Sequence, residues 1–141
     1  YNIGFIFQAY NLIPTLTAIE NVEYTLLLRG MPNAQRQNAS QKALEQLGLG
    51  EYIHRFPREM SGGQQQRVAV ARAIVGSPKV ILADEPTANL DSKSAANLIE
   101  LMKSINKESQ VTFIFSTHDP MIMEHSQRII KLRDGKILEH D

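Results

Sequence analysis

The chain has 141 residues, 43% of them hydrophobic, with 15 lysines and arginines against 15 aspartates and glutamates and no cysteine. That length suits one domain, or part of one, burying roughly 70% of the surface its unfolded chain exposes, and the balanced charge gives no sign of a nucleic-acid partner. Disulfides, thiol nucleophiles and thiolate metal sites are excluded, and no run approaches the ~18 apolar residues of a membrane span. The chain opens on Tyr1 with no signal-peptide pattern and is expected to be soluble and cut from something longer. Ile3 to Phe7 predicts a short buried strand, left through the polar stretch Gln8 to Thr15. Thr17 and Glu20 have capping-box spacing ahead of Val22, Leu26 and Leu27, predicting a helix to about Arg29 that Gly30 and Pro32 stop. A second helix is expected from about Ala34 to Leu47, capped by Asn33 and stopped by Gly48, followed by a loop from His54 to Met60.

Ser61 and Gln64 repeat the capping-box spacing at the head of a third helix that ends near Gly76 and Pro78. The pattern then alternates. Val80 to Ala83 reads as a strand, Ser94 to Ile105 as a helix and Val111 to Phe115 as a strand, with Asp119 and Pro120 as N-cap and first residue of a short helix. Such alternation argues for a parallel sheet covered on both faces. Arg128 to Leu132 and Lys136 to Leu138 flank Asp134-Gly135, a hairpin signal.

Chemistry gathers at the ends of the predicted strands, where open parallel sheets bind ligands. Val80 to Ala83 runs into Asp84 and Glu85, and Pro86 discourages the strand from continuing. One acid could serve Mg²⁺ as a hard oxygen ligand while the other holds a water for attack on a phosphate; a pair of solvated turn acids is an equal alternative. His118, after the next strand, suits a phosphate or a positioned water, and taken alone it also fits a surface or capping histidine. Ser61-Gly62-Gly63-Gln64 at a helix start offers backbone N–H groups and a helix dipole to an anion, or else is an ordinary N-terminal turn. Gln8 is a polar residue at a strand end and alone says little. No phosphate loop of the form GxxxxGK[ST] is present: Gly135-Lys136 is followed by Ile137 and lacks the first glycine. His54, His118, His125 and His140 show no metal-ligand spacing.

Together these residues resemble the nucleotide-binding domain of ABC transporters. Met60 to Ala73, with Ser61-Gly62-Gly63-Gln64 at its head, looks like the signature helix; Val80 to Glu85 looks like the Walker B strand with its adjoining glutamate. Ala88-Asn89-Leu90-Asp91 looks like the D-loop, His118 like the switch histidine and Gln8 like the Q-loop glutamine. Gln8 to Thr17, leading into Glu20-Asn21-Val22, further resembles the branch serving lipoprotein release and macrolide export, with its MacB-like and FtsE-like systems.

The resemblance implies an α/β fold: an incomplete P-loop NTPase (RecA-like) parallel-sheet core, residues 1–8 and 77–141, with a Q-loop region and α-helical signature subdomain over residues 9–76. It implies an ATPase that powers transport through an integral membrane permease. The cofactors would be ATP and Mg²⁺, the partners that permease and a second nucleotide-binding domain packed head to tail, with no nucleic acid. Glu85 would be the general base and His118 a γ-phosphate contact. Asp84 and Gln8 would serve Mg²⁺, and Ser61, Gly62, Gly63 and Gln64 would meet ATP bound mainly to the partner. Asp91 would belong to the dimer-spanning loop. The expected location is cytoplasmic, peripheral on the inner face of the cell membrane. The family's Walker A loop and base-stacking aromatic precede the Q-loop, so they are expected upstream of Tyr1 and the 141 residues alone are expected to be inactive. Two other classes stand beside this one. A non-enzymatic interaction module would need no phosphate loop at all. A chromosome-maintenance or DNA-repair ATPase would insert a long coiled coil, whereas Gln8 and Ser61 lie only about 50 residues apart without sustained heptads.

Overall fold

A computed structural model describes residues 2–140, with the side chains of Glu139 and His140 outside the described set along with Tyr1 and Asp141. Strand β1 (Ile3–Ile6) leads to helices α1 (Ala18–Leu27), α2 (Asn33–Gln46) and α3 (Gly62–Ile74). Then come β2 (Val80–Asp84), α4 (Ser92–Ser109), β3 (Thr112–Ser116), the short α5 (Pro120–Glu124) and a terminal pair, β4 (Ile130–Arg133) and β5 (Lys136–His140). The strands β1, β2 and β3 form a parallel sheet in chain order, with Ile6 beside Ala83 and Asp84 beside Ser116. Their carboxyl ends therefore lie along one edge, where the sequence puts Gln8, Asp84, Glu85 and His118.

Helix α3 is the centre of the molecule. Gln66, Val68, Ala69, Val70, Ala71 and Ala73 are all buried, because α1, α2, α4 and β1 pack around it. A Cβ on Gly4 would lie 2.7 Å from the Ala73 carbonyl oxygen, so only glycine lets β1 approach α3 this closely. Leu26, Leu44, Leu47 and Leu49 are sealed beneath the helical layer, each side chain contributing about 1.5–3 kcal/mol of burial.

Both capping boxes form as the spacing predicts. Thr17 caps α1 and Ser61 caps α3, each with its carboxyl or amide partner three residues on reaching back to the cap backbone. The hairpin turn also forms: Asp134 at φ 49° and Gly135 at φ 73° match the left-handed pair that a tight two-residue connection needs. Asp119 accepts from the Met121 N–H at the head of α5, with Pro120 in the first turn.

Several expectations change. Pro32, not Asn33, caps α2, and the Asn33 side chain instead accepts from Arg36 at 2.9 Å. The stretch from His54 to Met60 contains a 3-10 turn, Pro57–Glu59, whose Glu59 carboxylate accepts from the Phe56 N–H. Helix α4 is longer than its apolar period suggested, starting at Ser92 because Asp91 caps it. The sheet is covered on one face only among the described residues. Ile6, Ile81 and Ala83 are buried on that face, while Ile3, Phe5 and Ile114 on the other are each about half exposed. Ile3 to Phe7 is a nearly continuous apolar run, the pattern of a strand packed on both faces, yet β1 is packed on one face only among the described residues, so it is not the buried strand its composition suggested.

Candidate nucleotide site at the sheet edge

The turn after β2 carries backbone strain. Glu85 sits at φ 43°, in the left-handed region, and it precedes Pro86, which restricts it further. A non-glycine residue there costs on the order of 1–3 kcal/mol and persists only where its surroundings hold it. Here they do: the Glu85 N–H donates to the Ser116 carbonyl at 2.9 Å, and the Ala88 N–H donates to the Glu85 carbonyl at 3.2 Å.

That backbone aims the Glu85 carboxylate across to the end of β3. Its Oε2 accepts from the Thr117 hydroxyl at 3.0 Å, and its Oε1 accepts from the His118 N–H at 3.2 Å and lies 2.6 Å from His118 Nδ1. An ionised carboxylate only accepts, so Nδ1 is the donor and Nε2 is the ring atom left for another partner. The Glu85 side chain is 20% exposed and that of His118 is 90% exposed, so the pair opens directly onto solvent. Thr117 in turn accepts from the Asp119 N–H at 3.0 Å, and Asp119 accepts from the buried Thr87 hydroxyl at 2.7 Å. The two strand-end turns are thereby tied into one network.

Asp84 and Gln8 are exposed at neighbouring strand ends, and Gln8 is fixed through its carbonyl, which accepts from Asn89 at 2.9 Å. One carboxylate and one amide oxygen suit Mg²⁺, which keeps waters and takes phosphate oxygens rather than an all-protein cage. No cluster of three or more His, Cys, Asp or Glu among the described residues could hold a metal ion.

The head of α3 is built differently. Ser61 Oγ accepts from the Gln64 N–H at 3.2 Å and Gln64 Oε1 accepts from the Ser61 N–H at 2.9 Å. With those donors spent, the Gly62 and Gly63 N–H groups are the ones that point out of the helix. Ser61, Gly63 and Gln64 line a shallow cleft of about 180 Å³ with Arg67, Leu90, Ser94 and Leu98. Asp91 stands beside it, its carboxylate taking the Ser94 hydroxyl at 2.6 Å and the Ser94 N–H at 3.0 Å. Those bonds hold the Asp91 carboxyl below its ordinary range. Among the described residues no hydrogen bond joins Ser61, Gly62, Gly63 or Gln64 to Asp84, Glu85 or His118.

Three supporting side chains escaped the sequence reading. Thr117 was visible only as a polar residue beside His118. Arg72 reaches from α3 to the carbonyls of Tyr10 and Asn11, both at positive φ, and burial pulls its guanidinium below the usual arginine range. Gln66 lies fully buried with its Nε2 donating to the Pro86 carbonyl at 2.6 Å, while its Oε1 has no partner among the described residues. An unpaired buried acceptor of this kind costs about 1–3 kcal/mol.

A family model described as "ABC transporter" matches residues 1–88, more than half of the chain. The chain belongs to the ABC transporter family. This ABC chain is 48% identical over 136 residues to an uncharacterised ABC transporter ATP-binding protein, MJ1508, of Methanocaldococcus jannaschii, covering 96% of the chain and 60% of that protein. It is 47% identical over 135 residues to the macrolide export ATP-binding/permease protein MacB of Aggregatibacter actinomycetemcomitans, covering 96% of the chain and 21% of MacB. The ABC cassette MJ0796, solved as a dimer in a post-hydrolysis state bound to ADP and Pi, superposes with a TM-score of 0.85 at 41% identity over 99% of the chain. The chain spans 62% of that cassette, and its parallel sheet and helices are those of the P-loop NTPase fold. No helix among the described residues is long and apolar enough to cross a membrane.

Proposed function

We propose that these residues are the hydrolytic and signature portion of an ABC-type ATPase that powers transport through a membrane permease. The observation that carries the reading is the Glu85 carboxylate, 2.6 Å from His118 Nδ1 on the edge where Asp84 and Gln8 also emerge. Glu85 polarises a water and takes its proton; His118, held at Nδ1, presents Nε2 to the γ-phosphate. Asp84 and Gln8 give oxygens to Mg²⁺, which when bound would neutralise phosphate charge. Ser61, Gly62, Gly63 and Gln64 work on ATP held by a second, head-to-tail domain, and Asp91 fixes the loop that meets it. That division of labour fits the separation of the two clusters, and the dimeric state of the similar cassette supports it.

Residues 9–76 form the Q-loop region and helical signature subdomain, and 1–8 with 77–141 belong to the ATPase core. The protein works in the cytoplasm, peripheral on the inner face of the membrane through its permease. The 141 residues contain no GxxxxGK[ST] sequence, so by themselves they bind nucleotide at most very weakly and do not turn it over. Titration of the isolated chain with ATP checks this, and micromolar affinity would refute it. In the full natural protein that carries these residues, Glu85→Gln is the test of the hydrolytic role: turnover collapses while ATP affinity is retained. Unchanged turnover would remove Glu85 from that role.

A further inference from the structure

Gln66 sits two residues past the Ser61-Gly62-Gly63-Gln64 head of α3, yet it faces inward and is fully buried. The carbonyl of Pro86 can only accept, so the amide nitrogen must face it, and that orientation leaves Oε1 without a partner among the described residues. An aliphatic residue of equal length would fill the same space with no orphaned oxygen. What Gln66 supplies in return is a single 2.6 Å bond to the residue that follows the left-handed Glu85. The other restraints on the turn come from its own backbone and from the end of β3, through Ser116, Thr117, His118 and Asp119, so among the described residues this is the bond that ties it to the central helix.

We propose that Gln66 is a positioning residue: its amide pins the Pro86 carbonyl, holds Glu85 in its left-handed conformation, and so aims the Glu85 carboxylate at the sheet edge. Because Gln66 and the Gly62 and Gly63 donors ride on one rigid helix, the same bond mechanically joins the signature end of α3 to the glutamate turn. The inference rests on the reading of Glu85 given above, and the test separates the two.

The test is made in the full natural protein that carries these residues, with Gln66→Met and Gln66→Glu. Gln66→Met keeps length and volume while removing the donor and the orphaned oxygen. The expected result is a protein at least as heat-stable as the wild type, with unchanged KM for ATP and kcat lowered about 10- to 100-fold, the penalty of a slightly misplaced group. In Gln66→Glu the carboxyl is buried and favours its protonated form, which still donates to the Pro86 carbonyl as pH falls and loses that bond as pH rises. Its kcat relative to wild type therefore rises toward low pH. Backbone chemical shifts of Glu85 give a readout independent of turnover: in Gln66→Met the residue leaves the left-handed region. If Glu85→Gln proves fully active the hydrolytic reading fails, and those shifts alone then decide the role of Gln66. Retention of both the left-handed Glu85 and wild-type kcat in a folded Gln66→Met protein would overturn the proposal, as would a Gln66→Glu to wild-type ratio that does not change with pH.

Discussion

In the function proposed above, the strand-end cluster and the head of α3 would meet a phosphate in opposite ways. At the strand ends the groups proposed to act are side chains, and Glu85 meets Thr117 and His118, 32 and 33 residues further on, only because β2 and β3 are parallel and in register. At α3 the working groups are backbone N–H donors, and everything that orients them lies within four consecutive residues, Ser61 to Gln64. The first arrangement stores strain, with Glu85 at φ 43°, and depends on supports elsewhere. The second is locally self-sufficient. Substitutions should therefore act on the two in different currencies: on charge and aim at the strand ends, on space for approach at α3.

The largest effect is expected at the strand ends. Glu85→Gln preserves size and most hydrogen-bonding capacity but removes the charge that draws a proton, a loss worth about 10²- to 10⁴-fold in turnover. Single-turnover ATP hydrolysis by the carrying protein measures it, and near-normal nucleotide binding distinguishes lost chemistry from a lost site. If affinity falls as far as turnover, Glu85 is a binding group and the contrast between the two regions weakens.

The two regions also differ in how far they could be read in advance. The capping boxes at Thr17 and Ser61 are local patterns, and both form as spaced. The Asp134-Gly135 turn and the three parallel strands follow from equally short signals. What stayed hidden is what depends on distance in sequence: the Thr117 bond to Glu85 spans 32 residues and the Gln66 bond to Pro86 spans 20. Gln66 looked like one more glutamine in a polar helix start, because nothing in QQQ says which of the three faces the core. The exposed face of the sheet was equally invisible, since Ile3, Phe5 and Ile114 have the composition of packed residues. That Gln8, Asp84, Glu85 and His118 would share one edge was legible from the strand pattern; their mutual contacts and their supports were not.

A smaller and opposite pair of changes is expected at the head of α3. A Cβ on Gly63 would meet the Ser94 Oγ at 3.5 Å, an ordinary contact, so nothing within the chain forbids alanine there. Gly63→Ala should leave the fold intact or raise its stability by up to about 0.5–1 kcal/mol, because alanine loses less backbone freedom in a helix. If the Gly63 N–H meets a phosphate at close range, the same methyl group blocks that approach and ATP turnover by the carrying protein falls. Thermal melting and turnover measured on one preparation give the two signs. A variant both more stable and fully active would mean that the glycine is not there for approach.

The smallest effect is acid sensitivity of the helix caps, and its sign follows from the direction of the carboxyl shifts. Bonds from the backbone and hydroxyl of Thr17 hold the Glu20 carboxyl below its usual 4.5, and bonds from the Ser94 hydroxyl and N–H hold that of Asp91 below its usual 3.8. Folding therefore favours the ionised forms. Their stabilisation is complete above the unfolded values and is lost as pH falls through the lower folded ones, so α1 and α4 weaken below about pH 4. Both carboxylates are exposed, and solvent screening keeps each contribution modest. Glu20→Gln and Asp91→Asn retain an acceptor for the cap but cannot titrate, so they should lower the melting temperature slightly at neutral pH and flatten its fall in acid. If the acid limb of either variant is as steep as that of the parent chain, the caps are not what titrates there.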